Sequence, residues 1–207
     1  MTALRPTMPA QSSVTNRFEP ARHAQDDWFD QLPGKHRFVF DTTTPEGFGG
    51  ALLYANNYID VNKNEYGIDY SDQATVIVVR HNSTPFAYND MIWAKYGKAI
   101  TSRTNFNDPK SKEAPAANLF NAAGYGGLLT SRGITLDSVL KRSVHLAVCR
   151  LATRAFAGAI AGATGGDTNK INDELIANLV ANSHMVPAGI VAINRAQEHG
   201  YAFVTSV

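Results

Sequence analysis

The sequence predicts an α/β fold: a three-layer sandwich in which a mainly parallel sheet of about five strands lies between helices. Short apolar runs recur at residues 35–41, 74–81, 144–148, 183–187 and 201–205, and several are too continuous in β-branched and aliphatic residues for a strand wetted on one face. Segments of helical spacing separate them, which is the grammar of βαβ units. With 207 residues and no internal repeat, the chain forms one domain long enough to bury about 70% of its unfolded surface.

Residues 1–34 are rich in Pro, Gln, Ser, Thr and Arg without periodicity. They read as an N-terminal arm, disordered or wrapped on a partner subunit, with Trp28 and Phe29 as anchors. The domain then runs over 35–207. Lys35–Asp41 is its first strand, carried by Phe38, Val39 and Phe40. The loop Thr42–Gly50 supplies hydroxyls and glycines ahead of a helical pattern from Ala51 to Ile59. It contains neither a P-loop nor a dinucleotide fingerprint, so an ordinary strand-to-helix turn is expected there rather than a nucleotide cradle.

Ala74–His81 is the strongest strand and reads as central. A helix follows over Asn89–Gly97, after which the rhythm breaks. Residues 82–133 therefore read as an insertion. Connections of this length serve as lids or binding loops, and a lid or an intersubunit arm is the expectation. Residues 133–142 form a helical turn capped by Thr135, 144–148 the third long strand, and 150–162 an Ala/Gly-rich helix. Two further helices, over 167–180 and 188–199, flank the short strand 183–187. The second should end at Gly200, and Tyr201–Thr205 should close the sheet as an edge strand.

Composition excludes several functions. Nineteen basic and 18 acidic residues leave a formal charge of +1, which offers nothing to attract nucleic acid or an anionic membrane. No apolar run approaches the roughly 20 residues needed to span a bilayer. As written the chain reads as cytoplasmic, or as periplasmic if a leader has been removed. A single cysteine forbids an intramolecular disulfide. The six histidines show neither helical i, i+4 spacing nor a short ligand motif, so no metal site and no cofactor are expected.

That one cysteine, Cys149, leaves an apolar strand and enters a helix, where unpaired N–H groups and a partial positive charge favour a thiolate. Carboxyl ends of strands in open α/β sheets are where ligands bind. A small buried thiol filling the core is the competing reading. If the strand ends converge, Cys149 and His81 are the catalytic candidates, with His81 as proton acceptor or ion-pair partner, or merely as a histidine bonded to backbone at a strand end. Asn82, Asn89, Trp93, Asp41, Thr43 and Arg150 are the accompanying ligand-binding candidates.

Four segments together resemble the DsrE/DsrF-like family of sulfur-relay proteins: Arg37–Asp41, the strand Val144–Val148 ahead of Cys149, Val186–Val191, and Arg195–Val204. The likeness covers roughly 35–81 and 135–207, and the arm and the long 82–133 segment mark an elaborated branch. The resemblance implies a DsrE-like parallel sheet of about five strands and oligomers built on dimers or trimers. It also implies sulfur donor and acceptor proteins as partners and, in active members, a persulfide carried at the position of Cys149. The alternative is a non-enzymatic oligomeric module that binds a small ligand under residues 82–133, with Cys149 structural.

Overall fold

Each apolar run becomes one strand of a single parallel sheet in the computed structural model, which describes residues 19–207. The first 18 residues of the expected arm lie outside that range. In chain order the elements are α1 (Trp28–Gln31), β1 (His36–Thr42), α2 (Pro45–Tyr66), β2 (Gln73–Val79), a 3-10 turn (His81–Ala87), α3 (Asp90–Thr104), α4 (Leu136–Leu140) and β3 (Val144–Cys149). They are followed by α5 (Arg150–Thr164), α6 (Thr168–Ala177), β4 (Ser183–Val186), α7 (Gly189–Glu198) and β5 (Ala202–Ser206). The strand order is β4-β3-β2-β1-β5, every neighbouring pair parallel.

Side chains alternate across this sheet and divide the core in two. Phe40, Ile77, Val79, Leu146 and Val148 point to the face covered by α2, α3 and α5, where Leu52, Ile92 and Phe156 meet them. Val39, Val76, Val78, Ala147 and Val186 point to the other face and pack against Ala192, Ile193 and Ala196 of α7 and Phe29 of α1. β2 is buried along its whole length, as its unbroken apolar run requires of a central strand.

Local chemistry sets the element ends. Thr44 caps α2 by accepting the Gly47 N–H at 2.9 Å, and Pro45 opens that helix. The loop at 42–50 is thus a helix start, and its glycines serve close packing. A Cβ on Gly47 would lie 2.4 Å from the Ser206 carbonyl oxygen, and one on Gly49 would lie 2.1 Å from Thr130 Oγ1. Thr135 caps α4 as expected. Gly200, at φ +83°, follows α7 in the left-handed conformation.

Two segments depart from expectation. The helix placed over 89–97 runs on to Thr104, with Ile100 and Thr104 buried on the side that faces the sheet. The residues after it do not stand off as a lid. Phe106, Leu119, Phe120 and Leu129 enter the core, where Phe120 meets Phe48, Phe86 and Phe106 at centroid separations of 5.2, 4.9 and 5.8 Å. At the N-terminal side, Phe29 is fully buried on this chain's own sheet and lies 5.5 Å, edge to face, from Tyr201.

No helix among the described residues is long and apolar enough to cross a membrane.

Candidate functional site

Cys149 is at once the last residue of β3 and the N-cap of α5. Its extended backbone (φ −71°, ψ 112°) turns Sγ toward the first turn of the helix, where it accepts the Ala152 N–H at 3.5 Å. The residue is 6% exposed. Behind it, Thr153 Oγ1 donates to the Cys149 carbonyl at 3.1 Å and accepts from the Tyr88 hydroxyl at 3.1 Å. Burial raises the Tyr88 phenol well above its ordinary pKa, so it remains a protonated donor in this chain.

The topology opens a crevice at this point. The chain leaves β3 for α5 on one face and leaves β4 for α7 on the other, so the two connections diverge between neighbouring strands. Such a switch point is where open α/β sheets hold ligands. A cavity of about 220 Å³ occupies it, lined by Cys149 with Arg80, His81, Arg103, Gly189 and Ile190 among others. The first turns of α5 and α7 both border it, and no side chain caps α7.

Arg80 is held rigidly. Its Nε and Nη2 donate to the two Asp41 carboxylate oxygens at 2.8 Å each, a fork-to-fork pair. The backbone after it is pinned by Ser83, whose Oγ accepts the Arg80 N–H at 3.0 Å and donates to the Thr42 carbonyl at 2.9 Å. His81 then sits at φ +51°. A β-carbon in that region costs on the order of 1 kcal/mol, and strain of this kind gathers at functional sites. Arg103, from the last turn of α3, reaches across to α5, donating to the Ala155 carbonyl at 3.2 Å with its guanidinium 4.6 Å from the Phe156 ring centre. It has no carboxylate partner within ion-pair distance among the described residues.

Of the residues singled out from sequence, Cys149 and His81 line this cavity together, and Asp41 stands one contact away through Arg80. The others do not line it. Asn82 donates its backbone N–H to the Thr43 carbonyl at 3.0 Å, which ties together the turns after β2 and β1. Asn89 caps α3 and bonds Asn178. Trp93 is fully buried, its indole N–H satisfied by the Pro85 carbonyl at 3.1 Å, because the 3-10 turn carries its segment into the core. Arg150 is exposed. Sequence reasoning missed Arg80, which reads as the tail of a strand, and Arg103, which lies beyond the expected helix end. It also missed Gly189 and Ile190, for which the available signal was Val186–Gly189, a strand end running into a helix after two residues.

Two of the histidines meet on β3 and β4. His145 Nδ1 lies within hydrogen-bond distance, 3.0 Å, of His184 Nε2 with ring centres 5.2 Å apart and the rings tilted by 32°, and Trp28 stacks on His184 at 4.0 Å. Burial and the neighbouring ring push His145 down to about 4. No group of three or more metal-ligating side chains occurs among the described residues. Comparison with known proteins finds no matching family model, no matching curated protein and no matching solved structure.

Proposed function

We propose that this chain is a thiol-based sulfur carrier of the DsrE/DsrF-like kind, loading a sulfane sulfur onto Cys149. The observation that carries the reading is the placement of Sγ at the N-terminus of a 15-residue helix, on a cavity that also holds Arg103, which has no carboxylate partner among the described residues. The unpaired N–H groups of a helix start and a guanidinium lining the same cavity are donors that an anionic sulfur ligand can use. In the transfer the Cys149 thiolate attacks the outer sulfur of a donor persulfide. The donor's S–S bond breaks, a new S–S bond forms on Cys149, and the donor leaves as its thiolate, so electrons and sulfur balance without an oxidant or a cofactor. Delivery to an acceptor thiolate is the reverse step, and the partners are sulfur donor and acceptor proteins.

The test is intact mass of the reduced, folded chain before and after exposure to a low-molecular-weight persulfide donor. The expected outcome is a gain of one sulfur atom that a reducing thiol removes and that Cys149→Ser abolishes. A folded-state thiol inert both to the donor and to alkylation would overturn it. That outcome would favour the second reading, a small-ligand-binding module with a structural cysteine, for which the support is the low exposure of Cys149 and the bond its Sγ already accepts.

A further inference from the structure

The helices of this chain differ in the charge that stands at their starts. Asp30, Glu46, Asp90, Asp137 and Asp167 place a carboxylate at the cap or in the first turn of α1, α2, α3, α4 and α6, where the helix dipole favours it. α5 and α7 have none. These are the two helices whose first turns border the Cys149 cavity. α5 carries Arg150 at its first position and Arg154 one turn on, so cations occupy the end at which the dipole disfavours them.

Those cations are also uncompensated. Arg150 and Arg154 are exposed and, like Arg103, have no carboxylate within ion-pair distance among the described residues. Asp41, one contact behind the cavity, is neutralised by Arg80. A chain with a formal charge of only +1 therefore presents a local positive field around its thiol. Between the cations the rim is apolar. Leu151 from α5 is 65% exposed and Ile190 from α7 is 61% exposed, both lining the cavity, and Val191 beside Ile190 is exposed as well. Grouped apolar residues with a polar border mark interaction surfaces. Inside the rim, Ala152, Ala155, Ala188 and Gly189 leave a slot of about 220 Å³, smaller than the roughly 300–1,000 Å³ of pockets for drug-sized ligands. A slot of that size takes an inserted side chain.

We propose that this face docks an acidic, extended segment of a protein partner, with an apolar residue seated between Leu151 and Ile190 and carboxylates opposite Arg103, Arg150 and Arg154. Charge complementarity selects the acidic partner, and the slot selects a protein segment, since a flat anionic bilayer would meet the same cations without entering it. The proposal rests on the sulfur-carrier reading for what enters the slot, namely the segment's own cysteine. There one thiolate attacks the outer sulfur of the other cysteine's persulfide, whose inner sulfur leaves as a thiolate. Exposed charges contribute more to the speed and selectivity of encounter than to final affinity, so the cations choose the segment and the apolar contact holds it.

Fluorescence anisotropy of labelled peptides on the full chain carrying Cys149→Ser tests docking apart from sulfur chemistry. The probe is a short peptide with Leu-Ser at its centre flanked by Asp and Glu, and its control has Lys at every acidic position. The acidic peptide should bind about tenfold more tightly than the control or better, and should weaken about tenfold between 50 and 500 mM salt. Adding Arg150→Glu and Arg154→Glu should weaken it by about tenfold while the protein melts no earlier, because an acidic residue at a helix start suits the dipole. Leu151→Ser should weaken it at low and high salt alike. Equal binding of the two peptides, or acidic binding unmoved by the charge reversals, overturns the proposal. Displacement by inorganic sulfate at constant ionic strength, with Leu151→Ser without effect, overturns it in favour of a small oxyanion, and preferential binding to phosphatidylserine vesicles overturns it in favour of a membrane. Selective peptide binding by a chain that gains no sulfur from a small donor upholds the docking surface and overturns the carrier reading; sulfur gain without selective binding does the reverse.

Discussion

Replacing Asp41 by Asn keeps the shape of the side chain and removes the charge that holds Arg80. The Asp41 side chain is 4% exposed and that of Arg80 19%, with both guanidinium contacts at 2.8 Å. Removing one member of a buried pair costs about 3–5 kcal/mol, because the other charge is left without compensation. About a fifth of the Arg80 side chain still reaches water, which places the expected loss near the lower end, at about 3 kcal/mol. For a chain of this size that corresponds to a fall in Tm of about 6–12 °C. Arg80→Met alone should cost a similar amount by stranding the Asp41 carboxylate. The double variant, which removes both charges, should cost about 2 kcal/mol less than the sum of the two. Urea unfolding of the four proteins, with the slope checked for constancy, completes the cycle. Additivity within about 0.5 kcal/mol would refute the reasoning, since it would mean that the fork contributes no coupling.

Phe120→Ala should destabilise the chain by about 3–5 kcal/mol, measured by urea unfolding, because it empties the centre of the aromatic cluster; a solvent-facing lid would show almost no effect. Gly189→Ala would bring a Cβ to 2.8 Å from the Arg80 Cβ. It should lower stability by about 1–3 kcal/mol and change the alkylation rate of Cys149, read by intact mass, by shifting the start of α7. His145 carries a folded-state pKa of about 4, below the roughly 6.5 of an unfolded chain, so the unfolded state binds the proton more readily between those values. Stability should therefore be full above about pH 6.5 and decline as pH falls toward 4. His145→Gln should reduce that part of the decline in urea midpoints, and an unchanged slope would count against the assignment.

Much of the fold was legible because its signals are local. Continuous apolar runs such as Val76–Val79 admit few alternatives, and Thr135 and Gly200 announce helix ends by their own backbone chemistry. The β4-β3-β2-β1-β5 order was not legible, since nothing local distinguishes β5 returning beside β1 from β5 continuing past β4. The burial of Phe106, Leu119 and Phe120 within the 82–133 segment was not legible, because these residues are scattered among Asn, Pro and Lys with no period and their burial depends on an aromatic cluster assembled from distant residues. The same holds at the site. Cys149 and His81 were visible as residues at strand ends, whereas Arg103 enters the cavity only because α3 continues seven residues past Gly97 and brings its last turn against α5.

The register of β1 with β5 bears on how the chain is made. Phe38 aligns with Ala202, so β5 can pair with β1 only after every strand between them has been made, while β1 and β2 can pair as soon as both have emerged. Closing so long a loop is slow relative to local pairing. During that interval β1 is itself a bare edge, shaped to receive a strand of sequence Ala-Phe-Val-Thr-Ser. In a crowded polysome the strand that arrives first can belong to a neighbouring nascent chain, and the product would be a swapped assembly rather than a monomer or a side-by-side pair. The yield of correctly threaded molecules should then fall with the density of translation, a kinetic liability written into the strand order itself.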